Sequence, residues 1–431
     1  MGRTTAFLAT LGLVVGSGAG VLMLIDRGVG RLADPRFMAL RGAPATASVL
    51  VRPEFRVPVR TNAEGFRGGP LPGSKEPGTY RIVALGDSFT FGFGVRERQA
   101  YPARLAAGLT ARLGGRPRVE VVNLGVPGTG PRDYLWHLTH TALALDPDLV
   151  VVGLFANDVN DVCQLARFGA RSPLFALAEL EHGGLAPRAW WKRAADAALP
   201  NLYTLAGRAA TRLAAGPREA RAESPTSTPA RTTPPEVTLA ALGARYGRRD
   251  AVLARYRRLA PADRAALDRL LAGEPLGEDM RPTLLLSALV DPDAEADGIL
   301  VRSTERRQAW DETADVLARI ARLARRHDAD VVFAVLPASE QIDRSRWPVL
   351  QAAGFRMDPA MLSEHFLSDA VGAVAAREGA GFVDLVADFR AHPDARLYFR
   401  LDEHWNGRGH AFAASRLVDA LAPGIAARTR P

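Results

Sequence analysis

A serine near the start of the chain and an aspartate–histidine pair near its end could together build a nucleophile. Ser88 follows a short apolar run, Ile82 to Leu85, that stops at Gly86. A serine hydroxyl attacks weakly unless a base takes its proton, and that base needs a carboxylate to fix its tautomer and stabilise the imidazolium. Asp402 and His404 stand two apart within LYFRLDEHWNGRGH, Leu397 to His410. In an extended loop such a pair leaves the backbone on one face, so the carboxylate reaches the imidazole. His404 is the expected general base and Asp402 its orienting partner. His410 is the rival, but it opens the final helix in a Gly-His pair of the kind that packs.

The elements that must hold these residues alternate along the chain. Ile82 to Leu85 is too short for a helix and suits an interior strand of a parallel sheet. Gly86 permits a tight turn, and Ser88 falls at the strand's carboxyl end, where open α/β sheets place their ligands. Taken alone, Gly86-Asp87-Ser88 also fits an ordinary turn in which Asp87 or Ser88 caps the next helix. Helical spacing over Tyr101 to Leu113 is followed by a strand, Val119 to Leu124, then a helix through Tyr134, Leu138 and Ala142 and a strand, Leu149 to Leu154. Later come a helix, Thr304 to Arg326, a strand, Ala329 to Leu336, a helical stretch from Ala370 to Arg377 and a strand, Gly381 to Val386. Such alternation with short connections predicts a doubly wound parallel sheet.

Gly86-Asp87-Ser88-Phe89-Thr90 is not a G-x-S-x-G elbow, because Thr90 stands at the final glycine position. GDSFTFG instead resembles the first sequence block of the SGNH (GDSL-type) hydrolase superfamily, and the later blocks follow in order. In that family the serine is the nucleophile. NLGVPGTG, from Asn123, resembles the second block, in which a glycine amide helps to bind the oxyanion. Alignment on Asn123 gives that role to Gly128, with Gly125 the lesser choice; a turn needed only for chain reversal is the plainer alternative. FANDVND resembles the third block, and Asn157 matches the asparagine whose side-chain amide points at the oxyanion, although Phe155 occupies the block's glycine position. Asp402-x-His404-Trp405-Asn406 resembles a variant seen in some bacterial branches, including alginate-type O-acetyltransferases; the commoner Asp-x-x-His spacing is absent, since Leu401 lies three before His404.

The resemblance implies a flavodoxin-like, three-layer α/β/α fold around a parallel five-stranded sheet. It implies Ser88, His404 and Asp402 as catalytic residues, and the amides of Ser88 and Gly128 with the Asn157 side chain as oxyanion donors. No metal or organic cofactor is called for. The expected activity is that of a serine esterase, cleaving acetyl or short acyl esters of a small molecule or glycan through an acyl-serine. The alternatives are an O-acyltransferase modifying cell-envelope polysaccharide and a non-catalytic glycan-binding module on the same scaffold.

Residues Ala6 to Ile25 are uncharged and largely apolar, long enough to cross the hydrocarbon core as a helix of about 20 residues. Residues 1–31 are therefore read as a membrane anchor, with a cleaved signal peptide the alternative, and the catalytic domain is expected on the periplasmic or extracellular side. A lead-in over 32–79 contains an alternating piece, Ser48 to Val59, that suits an edge strand or strut. It also contains TNAEGFRG, Thr61 to Gly68, which resembles a segment preceding the GDS block in bacterial relatives. The catalytic domain is expected over 80–163 and 301–425. Between them, 164–300 reads as a helical cap with a flexible linker at 217–236, lying over the site or decorating the periphery.

The net charge of +8 is carried almost wholly by arginine, with lysine only at Lys75 and Lys192 and acidic residues interspersed throughout, a pattern that does not point to nucleic acid. Cys163 is the single cysteine, so no intramolecular disulfide can form. Asp158 and Asp161 are too few oxygen ligands for a divalent-cation loop. His137 and His140 lack a third ligand nearby and are expected at the surface.

Overall fold

The computed structural model describes residues 20–25, 45–159, 199, 234–245, 247–272, 281–392 and 396–429. The chain divides into two compact units, one of Met1–Met38 with Gly183–Glu223 and one of Ala39–His182 with Ser224–Pro431. In the first unit, 20–25 are helical, and Val21 to Ile25 are exposed. Among the described residues no helix is long and apolar enough to cross a membrane. Most of the expected span over 6–25, and Cys163 and 217–233 of the expected linker, lie outside the described residues.

The second unit opens with an antiparallel hairpin, β1 (Ala47–Arg52) and β2 (Phe55–Arg60), which forms a sheet of its own. The main sheet is built from β3 (Thr79–Leu85), β4 (Arg118–Asn123), β5 (Leu149–Leu154), β6 (Asp330–Val335) and β7 (Gly381–Asp384). Its five strands are all parallel, in the order β4-β3-β5-β6-β7. This is the flavodoxin-like order, and its switch point falls between β3 and β5.

Side chains alternate across the pleat into two cores. Val83, Leu85, Val150, Val152, Phe333 and Val335 join one, beneath the helices Pro131–His137, Thr304–Arg325 and Phe366–Glu378. Ile82, Val151, Val332 and Ala334 join the other, covered by Tyr101–Arg112 and Gly407–Arg428. The interior strands read as continuous apolar runs because both faces are covered.

Several boundaries differ from expectation by a residue or so, and two differ for a visible reason. The last strand stops at Asp384, whose carboxylate accepts from Val386 N at 2.9 Å and caps a helix that takes Leu385 and Val386 out of the sheet. Pro235 begins a helix, Pro235–Arg245, inside the stretch expected to remain linker; proline is favoured in a first helical turn. Among the described residues, four more helices follow before the core resumes, at Arg249–Arg258, Pro261–Leu271, Arg281–Val290 and Ala294–Leu300.

Candidate active site

β3 delivers Ser88 through a turn that only glycine can make. Gly86 has φ 158°, and a Cβ there would collide with Thr90 Oγ1 and crowd Gly153 O. Asp87 then caps a single helical turn, Ser88–Phe91, by accepting from Phe89 N at 2.9 Å. Thr90 earns its place by packing in this crowded corner, with its hydroxyl 2.9 Å from the Tyr101 hydroxyl. Ser88 remains half-buried while Asp87, Phe89 and Thr90 are buried. Burial pushes the Asp87 carboxyl up to about 6, opposed by the Phe89 N–H, the charge of His404 and the Asn157 side chain beside it.

The opposite wall is a loop closed on itself. Tyr398 and Trp405 form a lone bridge, Phe399 N donates to His404 O at 3.0 Å, and Asn406 N donates to Leu397 O at 3.0 Å. Trp405 is fully buried and anchors the loop against Phe89 and Phe389, each 5.1 Å away between ring centres. Asn406 Oδ1 accepts from Arg408 N and Gly409 N to cap the final helix, while its amide donates to Arg396 O and Tyr398 O.

This loop brings the imidazole onto the serine. His404 Nε2 lies 2.7 Å from Ser88 Oγ, and His404 Nδ1 lies 2.5 Å from Asp402 Oδ1. Asp402 Oδ1 also accepts from His404 N at 3.0 Å. Phe89 and Phe93 pack against the imidazole at 4.9 and 4.6 Å. Burial lowers the His404 pKa, but Asp402, Glu403 and Asp87 outweigh it and hold the ring above its usual value. Burial likewise raises Asp402, yet His404 and Arg346 keep it below the usual carboxylate range. His410 is elsewhere: fully buried, its Nδ1 accepts from Tyr101 N at 3.2 Å, and burial pushes it down to about 3.

Gly128 and Asn157 border the end of β3 from its two neighbours. Val126 N donates to Gly86 O at 3.0 Å, which seats the loop bearing Gly128, itself in the left-handed conformation with φ 71°. Gly125 N donates to Asn123 Oδ1 at 2.9 Å, and a Cβ on Gly125 would strike the Phe91 backbone. Gly125 is thus a close-packing residue, and its amide is engaged. Asn157, half-buried after β5, sits beside Asp87. Asp158 is buried and fixes that turn, accepting from Tyr134 Oη at 2.8 Å and from Phe155 N at 2.9 Å.

Three further groups were not evident from sequence. Arg67, within TNAEGFRG, is buried and donates to the carbonyls of Phe91, Gly92 and Val95, just past the Ser88 turn; burial pushes it down to about 10 despite Glu97. Arg346 pairs with buried Glu340 at 2.5 Å and donates to Leu401 O at 3.2 Å. Glu295, half-buried on the last helix before the core resumes, has its carboxyl pushed up to about 8 by desolvation and by the charges of Glu340 and Glu403. Their roles carry no residue-type signal: Arg67 and Arg346 donate to backbone carbonyls of distant segments, and the charges that act on Glu295 lie more than forty residues along the chain.

His137 corrects the surface expectation. It is fully buried at the end of its helix, edge-on to Phe66 at 5.1 Å, because that helix turns this face to the core. His140 is exposed and stacks on Trp136 at 4.2 Å.

Residues 84–293 match the GDSL-like lipase/acylhydrolase family, and residues 296–430 match the SGNH hydrolase-like domain of the acetyltransferase AlgX. No curated protein matches the chain. Similar solved structures include the acetyl xylan esterase AlAXEase, at 14% identity over 79% of this chain and 99% of that one, with a TM-score of 0.36. The acetylxylan esterase of Geobacillus stearothermophilus aligns at 13% identity over 82% and 96%, with a TM-score of 0.37.

Proposed function

Because the chain belongs to the SGNH (GDSL-type) hydrolase superfamily, we propose that it is a serine esterase that cleaves acetyl or short acyl esters through an acyl-serine. The observation that carries this reading is the continuous contact from Asp402 through His404 to Ser88 Oγ. Ser88 Oγ attacks the ester carbonyl carbon as His404 Nε2 takes its proton, and Asp402 stabilises the imidazolium. The carbonyl oxygen becomes an oxyanion facing the amides of Ser88 and Gly128 and the Asn157 side chain, where a single donor is worth about 3 kcal/mol. Collapse expels the alkoxide, which takes the proton from His404. Water, deprotonated by the same imidazole, then releases the acid and restores Ser88.

The match of residues 296–430 to an acetyltransferase domain favours a second reading with the same site. A sugar hydroxyl in place of water would resolve the acyl-serine by transfer. We propose further that the apolar run over 6–25, whose residues Val21 to Ile25 are exposed, anchors the chain to a membrane, with the site on the periplasmic or extracellular side.

The test is a stopped-flow time course of p-nitrophenyl acetate cleavage with no sugar acceptor, for the native chain and Ser88→Ala. Sustained turnover lost in Ser88→Ala supports the esterase. A single-turnover burst that stalls moves the assignment to the transferase. Unchanged turnover in Ser88→Ala defeats both.

A further inference from the structure

The loop that carries Asp402 and His404 is not held by the catalytic domain alone. Arg400 N, Leu401 N and Asp402 N all donate to one carboxylate, that of Glu54, at 2.6, 2.6 and 3.0 Å. Glu54 lies in the two-residue turn between β1 and β2, where Arg52 and Phe55 are paired across the hairpin. It precedes both family matches, the first of which begins at residue 84.

Consecutive backbone amides in an irregular loop have no ladder to satisfy them, and an amide left unpaired beside a buried site is costly. A carboxylate meets three of them with charge-assisted bonds, stronger than neutral ones. The turn is docked a second time by its neighbour. Phe55 is almost fully buried, 4.8 Å from Phe399 and 5.8 Å from Phe93, and Phe93 packs on the His404 ring. Arg346 holds the carbonyl side of the same stretch at Leu401 O. Asp402 is therefore fixed at both ends, its backbone amide by Glu54 and its carboxylate by His404.

We propose that Glu54 is a positioning residue, setting from the N-terminal hairpin the placement of Asp402 and His404 against Ser88. The inference rests on the esterase reading of that site. Glu54 acts only through the loop backbone. Loss of its carboxylate frees three amides and lets the imidazole drift from Ser88 Oγ, and displacement of that order can cost about 100-fold in rate. Substrate contacts made elsewhere are untouched, so the loss falls on kcat and leaves KM in place.

The experiment uses the full chain carrying Glu54→Ala, Glu54→Gln, Glu54→Asp or, as an exposed control on the same hairpin, Arg56→Ala. Steady-state cleavage of p-nitrophenyl acetate is measured together with amide hydrogen exchange at residues 400–402. Glu54→Ala is expected to lower kcat at least about 10-fold with KM within about twofold, and to speed exchange at 400–402. Glu54→Gln, which keeps one acceptor oxygen but sets a donor against a donor, should fall between Ala and the native chain. Arg56→Ala should match the native chain. Should Glu54→Ala fail to fold, Glu54→Gln decides the matter by the same readings. Native kcat in folded Glu54→Ala or, where that variant does not fold, in Glu54→Gln, or a rise in KM with kcat intact, overturns the proposal. Turnover that survives Ser88→Ala in the same assay sinks the esterase reading instead, and exchange at 400–402 still reports whether Glu54 holds the loop.

Discussion

Ser88 stands at the end of a strand whose register is set by parallel neighbours on both sides, whereas His404 stands on a loop with a single bridge of its own. On the serine side the backbone does most of the positioning: Gly86 makes the turn, Gly125 admits the close approach, and Asp87 caps the helical turn. On the histidine side distant side chains do it: Trp405 fills the core, Asn406 caps the last helix, and Glu54 and Arg346 grip the main chain. The difference locates the vulnerability. A site half can be robust because its fold element is robust, or because several unrelated side chains agree on one loop position. The second arrangement has more ways to fail.

The largest effect is expected at the contact that joins the halves. Asp402→Asn should lower kcat by about 10⁴-fold with little change in stability, because the imidazole loses both its tautomer and its counter-charge. In the native chain kcat/KM should fall as pH drops through an apparent pKa above the usual imidazole value of about 6.5, since His404 must be neutral to act and its pKa is raised. That limb should move to lower pH in Asp402→Asn; an unmoved limb would show that another group sets it.

Next comes the packing of the base-bearing loop. Trp405→Ala should cost about 3–5 kcal/mol in urea unfolding, the range for emptying a large aromatic from a core. Asn406→Ala should cost about 1–2 kcal/mol through its lost cap, and should also reduce kcat because the same side chain ties the loop at Arg396 O and Tyr398 O. The smallest effect is expected on the serine side. Thr90→Val keeps the packed shape and loses one buried hydroxyl contact, so about 1 kcal/mol of stability should go with kcat nearly unchanged. Equal kcat losses in Thr90→Val and Asn406→Ala would erase the contrast between the two halves.

The strands that deliver Ser88 and Asn157 were legible because a buried parallel strand writes itself as an unbroken apolar run, and Leu149 to Leu154 was read to the residue. The Asp402–His404 pair was legible because both residues lie within one short motif, and the choice of His404 over His410 agrees with the 2.7 Å contact to Ser88. The hairpin's alternation was visible too, as a strut without a known load. What Glu54 binds was not, since backbone amides at 400–402 carry no residue-type signal and lie some 346 positions away.

His137 shows the same divide within one helix. Its spacing fits a helix equally well whichever way that helix rolls, and packing of the helix against the core faces it inward, edge-on to Phe66. The sequence by itself determined the alternating elements, the residue types able to make and support a nucleophile, and the glycines without which the turns cannot close. Tertiary structure alone decided which way His137 faces, which glycine amide is already engaged, and which remote charges hold the base-bearing loop. The physical reason is one of range. Periodicity, turn chemistry and backbone freedom are properties of neighbouring residues, whereas hydrogen bonds to main-chain atoms and packing across the sheet exist only once the chain has folded.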